Sequence, residues 1–352
     1  MSVTLNSDGS AMTGSRDDVD LFTYVYRPDD VAYESPRPYL HPLRTRSGAV
    51  VSEYRPWDHV WHKGLAWSLP HVGRWNFWGG PNYVHAERGY VDLHNDGSME
   101  HEQFTAVGPC GFVEELSWRT PRTTGQDGGD LPGQVVVREE RTVQVVLPES
   151  VPDAWVLTFA SEMTNVSDGP LDLGSPTTNG RENAGYGGLF WRGPRSFTEG
   201  RVLLPGPDGT GTVADAEDAR GLRANWLGFV GRHDGPAPRG EGGRQGGSRA
   251  STVLMVDPGT NPGGTPQWFV RSVPFAGVCP APFFSEEVPF PAGETLRFTY
   301  AVVIADGESD GARGAELAAL GRQVLAGDGG ALEPGHVDPA EPPTDVAAGA
   351  RG

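Results

Sequence analysis

Lysine is almost missing from this 352-residue chain: it occurs once, at position 63, and arginine supplies nearly every other cation. Cysteine is nearly as scarce. Cys110 and Cys279 are the two present and stand in no CxxC spacing, which excludes a disulfide framework and a thiolate zinc knuckle and predicts two buried free thiols. No apolar run approaches the ~20 residues of a membrane-crossing helix. The opening stretch "MSVTLNSDGSAMTGSRDDVD" lacks the apolar segment of an exported precursor, so the expected location is cytoplasmic and residues 1–20 read as disordered. Positive charge is short as well: 28 Lys+Arg against 46 Asp+Glu leaves a net −18, which repels nucleic-acid phosphates and anionic lipid, and neither is an expected partner.

Apolar alternation, broken by Gly, Pro, Asp and Asn, is abundant. In "LRFTYAVVI", Leu296, Phe298, Tyr300, Val302 and Ile304 share one face. "QVVVREERTVQVVLP" aligns Val135, Val137, Val143, Val145 and Leu147, with Glu139 and Arg141 on the same face mid-strand. Such a pair sits either exposed at a sheet edge or paired in a polar cleft. "GFVEELSWRT" and "AWVLTFASEMTNVS" complete the long strands. Fifty glycines and thirty-one prolines suit many turns and argue against a helical bundle. One stretch, "DGARGAELAALGRQVLA", carries a helical stripe of Leu317, Leu320, Val324 and Leu325. The expectation is an all-β fold, one large antiparallel β-sandwich over 21–326 with one C-terminal helix. A Gly/Pro-rich mobile loop is expected at 235–249 and a disordered tail at 327–352.

The chemistry concentrates in "RPWDHVWHKGLAW", 55–67, and seven of nine histidines lie between positions 41 and 101. His59 and His62, three apart, share a face on a helix or tight turn but oppose each other on a strand. Imidazole beside Asp58 has the proton affinity for acid/base catalysis near neutral pH, and a lone lysine beside two histidines suggests a need for a compact ammonium at Lys63. A divalent metal is the competing use, although neither HExxH nor a facial triad is present. The bland alternative has Asp58 capping a turn and the rings half-buried among Trp57, Trp61, Trp67, Trp75 and Trp78. Interleaved with Asn76 and Lys63, those indoles also describe a cleft where sugar C–H faces stack. "SMEHEQF" adds His101 between Glu100 and Glu102. Arg181 and Arg192 offer fork-shaped donors around a glycine-rich turn that matches no phosphate loop, and "NPGGTPQWFVR" sets Asn261 and Trp268 ahead of Arg271.

Taken together, "YLHPLRTRSG", "DHVWHKGLAW", "NFWGG", "GYGGLFWRGPRSF", "NPGGTPQWFVR" and "GETLRFTYAVVIADG" resemble the PmoA-like family, over roughly 36–307. The resemblance implies a galactose-mutarotase-like supersandwich and company with sugar-oxidising dehydrogenases and sugar isomerases. It points to His41, Asp58, His59, His62, Gly64, Trp78, Arg192, Asn261, Trp268 and Arg271. Lys63 departs from it, standing where the family usually has arginine.

The resulting expectation is an enzyme acting on a carbohydrate or glycoside, keto-sugars included, by elimination, hydrolysis or epimerisation. His59, His62, Asp58, Lys63 and His101 would be catalytic, and His41, Trp78, Arg181, Arg192, Asn261, Trp268 and Arg271 would bind substrate. No cofactor is expected. If a divalent metal is present, His41, His59, His62 and His101 are its ligands, and in either case those four converge on one cleft. A non-catalytic sugar-binding module and a metal-dependent oxygenase or hydrolase are the alternatives.

Overall fold

A computed structural model describes residues 4–16, 18–124, 130–207, 209–235 and 249–327. Among them, one antiparallel sheet has eleven strands and a second has nine. In the first, Tyr39–Leu43, Leu65–Val72, Gly188–Arg192, Gly277–Ala281 and Gln267–Arg271 are successive neighbours. The long strands Thr295–Asp306, Ala154–Asn165, Val135–Val146, Gly111–Arg119 and Ser98–Gly108 run side by side in the second.

Period-two alternation decides what fills the space between the sheets. Trp67 of the first sheet meets Phe298 at 5.2 Å and Phe159 at 6.0 Å between ring centroids. Tyr300, Val302, Ile304, Val143 and Val145 extend the same layer. The opposite face of Thr295–Asp306 is buried too, because helix Gly311–Ala326 lays Leu317, Ala318 and Leu320 over Val303 and Ala305. Asp310 caps that helix, its side chain accepting from the Arg313 N–H.

Two expectations are corrected. Of the stretch 1–20, the described residues are not a disordered lead-in: Thr4–Ser7 and Ala11–Arg16 are strands, the latter paired with Val19–Val25. Its polar outer positions hide the one inward anchor, Met12, from a composition argument. The Glu139–Arg141 pair is not exposed at a sheet edge; the two are paired, as the other alternative had it, but between the sheets rather than in a cleft. Both are buried between the sheets and bonded at 2.9 Å, with Trp118 Nε1 donating to Glu139 and Arg141 to Tyr24. Cys110 and Cys279 are free thiols. The loop at 235–249 and the tail at 327–352 fall, but for boundary residues, outside the described residues.

Candidate active site

The outward face of the first sheet carries an apolar cluster that includes Phe190, Phe269, Phe275 and Trp78. Alternation supplies it: on Gly188–Arg192, Leu189 and Trp191 point into the core while Phe190 and Arg192 point out. On Gln267–Arg271, Trp268 and Val270 point in while Phe269 and Arg271 point out. Residues 55–64 fold over this face as a closed loop. Arg55 N–H donates to His62 C=O at its base, and two consecutive turns follow, His59 N–H to Pro56 C=O and His62 N–H to His59 C=O. Those turns bring the two imidazoles face to face, 4.6 Å apart and 12° from parallel.

"NFWGG" forms the neighbouring wall. Asn76 Oδ1 accepts the N–H groups of Trp78 and Gly79, and its amide donates to Gly80 C=O, which fixes Trp78 beside His62 at 5.8 Å. Gly80, at φ +71°, lies flat against Trp61; a Cβ there would sit 2.6 Å from the indole. The cleft so formed has a volume of about 360 Å³ and is walled by Trp61, Trp78, Tyr186, Phe190, Phe269 and Phe275. His59, His62, Arg181 and Arg271 are its polar groups, with Tyr90 at its edge.

Hydrogen bonding sets the tautomers. Arg192, a side chain with donors and no acceptor, reaches His62 Nδ1 at 2.9 Å, so that nitrogen carries the lone pair and Nε2 carries the hydrogen. Asp58 Oδ2, an acceptor, lies 2.9 Å from His59 Nδ1, so that nitrogen carries the hydrogen and Nε2 of the neutral ring carries the lone pair. Arg192 also grips Asp58 at 3.1 and 3.2 Å, tying both rings into one network. Neither Nε2 has a hydrogen-bond partner among the described residues. Burial foremost, then the charges of His59 and Arg192, holds His62 well below the usual imidazole range. Burial lowers His59 as well, although Asp58 opposes it. Burial alone would raise Asp58; the bond from His59 and the charge of Arg192 outweigh it and hold the carboxyl low. The site thus presents an imidazole that accepts a proton beside one that donates, with Arg271 and Arg181 available for an oxyanion.

Other predicted residues go elsewhere. Lys63 is buried in an ion pair with Asp30 at 2.9 Å and with Glu34, beside the Tyr54 ring; it closes the loop's base and does not face the cleft. His41 bonds Ser52 Oγ at 2.9 Å and stacks on Tyr54. His101 bonds Glu114 at 2.7 Å and lines a different cleft, so the four histidines do not converge. Among the described residues no three His, Cys, Asp or Glu side chains are grouped to hold a metal ion, which removes the proposed quartet of ligands. Asn261 ties Asp257 to Thr299 beneath a turn. Trp268 is a core residue whose Nε1 donates to Ala224 C=O; at three residues from Arg271 on a strand, it faces the opposite way. Arg192 is fully buried behind the imidazoles and positions them without lining the cleft. Tyr186, Phe190, Phe269 and Phe275 went unpredicted. Phe190 and Phe269 were legible as the same-face neighbours of Arg192 and Arg271.

The chain is a member of DUF6807, a family of unknown function, whose model matches residues 11–319. No curated protein matches the sequence. Among solved structures, the chain is similar to a protein provisionally described as an aldose 1-epimerase from Escherichia coli K12, at 13% identity and TM-score 0.36, over 87% of this chain and 99% of that one. It is also similar to a galactose mutarotase related enzyme from Lactobacillus acidophilus, at 10% identity and TM-score 0.24, over 88% and 98%. A third, provisionally described as a kojibiose phosphorylase from the human microbiome, has 8% identity and TM-score 0.26, over 91% of this chain and 32% of that one.

Proposed function

We propose that the chain is an enzyme that shifts a proton beside a carbonyl of a carbohydrate or glycoside. His59 Nε2 removes the proton, His62 Nε2–H and Arg271 hold the developing enolate oxygen, and Asp58 and Arg192 fix the two rings in complementary states. The observation that carries this reading is the pair of opposite tautomers on stacked rings: one basic nitrogen and one N–H, side by side at an apolar cleft. Enolate formation is feasible near neutral pH when fixed donors meet the charge as it develops. A cavity of about 360 Å³ with indole and phenol walls suits one sugar ring, whose C–H faces stack while its hydroxyls meet Arg181 and Arg271. Return of the proton to the opposite face gives epimerisation; loss of a β-substituent gives elimination.

The test is proton exchange. Incubated with a panel of keto-glycosides in deuterium oxide, the wild type is expected to wash deuterium into the carbon beside the carbonyl, read by NMR. His59→Ala should slow exchange ~10²–10⁴-fold without unfolding the chain. Binding of the same sugars with no exchange and no product would make the cleft a sugar-binding module instead.

A further inference from the structure

A second and larger cleft, of about 870 Å³, opens between the 26–36, 92–101 and 119–122 segments. Its chemistry differs from that of the aromatic cleft, because two of its carboxylates, Asp30 and Asp96, each keep a buried oxygen without a hydrogen bond. Asp96 is 7% exposed, makes no ion pair among the described residues, and has an Oδ1 with no hydrogen bond. Asp30 gives its Oδ1 to Lys63 at 2.9 Å and to the Tyr54 hydroxyl at 3.0 Å, while its Oδ2 has no partner. His101 Nδ1 faces a Glu114 carboxylate oxygen at 2.7 Å and so carries the hydrogen, which leaves the neutral ring an acceptor at Nε2. The arginines nearby are engaged elsewhere: Arg119 is ion-paired with Glu100 at 2.9 Å and Glu102 at 3.4 Å although its Nε makes no hydrogen bond, Arg27 bonds Gly9 C=O, Arg122 stands exposed at the mouth, and the buried Arg37, whose charge reaches Asp96, donates to the carbonyls of Glu34, Ser35 and Trp61.

A buried carboxylate oxygen without a donor is costly, and a like-charged neighbour makes it more so. Burial foremost, then the charge of Asp92, pushes Asp96 up to about 7 against the opposing charge of Arg37. A cation that brings several N–H and O–H donors would answer these oxygens, and the exposed Tyr33 offers it an aromatic wall, whereas Tyr26 is buried against His101, Phe104 and Arg27. We propose that this cleft is a second binding site, taking the ammonium of a small hydroxylated amine, with Asp96 as anchor and Asp92 beside it. The proposal does not rest on the proton-transfer reading of the aromatic cleft.

The experiment is calorimetric titration of the full chain at neutral pH with 1-amino-1-deoxyglucitol and, as the uncharged counterpart, glucitol. The amine should bind, and glucitol should bind at least about ten-fold more weakly, the loss expected for one charge-assisted hydrogen bond. Asp96→Asn should weaken the amine by about ten-fold or more. Asp92, more than a third exposed, gives a second variant, Asp92→Asn, that leaves the fold untouched and should weaken it several-fold. His59→Ala should bind the amine as the wild type does. Absence of amine binding at millimolar concentration, equal binding of glucitol, undiminished binding in both aspartate variants, or loss in His59→Ala would each overturn the assignment.

Discussion

Replacing Arg192 with methionine separates the network from the fold that carries it. Arg192 donates to His62 Nδ1 at 2.9 Å and to both Asp58 oxygens at 3.1 and 3.2 Å, and lies 4.0 Å over the Phe275 ring. Methionine keeps much of the apolar contact and removes every donor. Breaking a buried pair from one side costs about 3–5 kcal/mol. Asp58 is 14% exposed and keeps its bond to His59, which brings the expected loss down to about 2–3 kcal/mol. The chemical effect runs the other way. Arg192 is among the charges that depress both His59 and His62, so both rings should hold their protons to higher pH in the variant. His62 should also lose its fixed tautomer. Urea melts read the first effect, and nitrogen-15 NMR of the imidazoles, which distinguishes a lone-pair nitrogen from an N–H, reads the other two. A wild-type His62 with hydrogen on Nδ1, or a variant with unchanged stability and unchanged histidine titrations, would refute the reasoning.

Three further outcomes are expected. Lys63→Met should cost about 3–5 kcal/mol by leaving Asp30 without its cation, Glu34 keeping Arg55, and deuterium exchange per folded molecule should survive; a catalytic lysine would lose exchange and keep the fold. Stability should fall with pH: burial depresses His41 and His71 to about 4 from 6.5. A depressed histidine contributes fully above its unfolded pKa and loses that contribution as pH drops between the two values, about 2 kcal/mol each after allowing for partial exposure. Asp96 works in the opposite sense, so denaturation midpoints from pH 7 to 4 should decline less steeply in wild type than in Asp96→Asn. Finally, Gly80→Ala drives a methyl into Trp61 and needs φ +71°, so calorimetry should record a loss of about 1–3 kcal/mol, with weakened ligand binding in the aromatic cleft.

The fold was legible because period-two alternation is local. Phe298, Tyr300, Val302 and Ile304 face the interior as their spacing requires. The helix stripe announced itself by its period in the same way, but not the strand face it covers, since Val303 and Ala305 look like outward positions until Leu317 and Leu320 arrive from another part of the chain. Within the site, the three-residue spacing of His59 and His62 left a shared face on a turn and opposite faces on a strand equally open, and the two turns of the 55–64 loop decide for the shared face. Lys63 misled because rarity says nothing about direction: the residue after His62 pairs with Tyr54 in a bridge and points away. Trp268 misled for a different reason. It was grouped with Arg271 by proximity in the sequence, when odd spacing on a strand puts the two on opposite faces. The separation of His101 from His59 was beyond reach, because it follows from which sheet each strand joins.

The lone lysine also makes the molecule its own clock. With Lys63 1% exposed and clamped between Asp30 and Glu34, an amine-acylating reagent finds no side-chain target until the 55–64 loop or the whole domain opens. The rate at which that single position becomes labelled therefore times the opening of the 55–64 loop. Run with and without a bound sugar, the same labelling would report how tightly the ligand holds the loop shut.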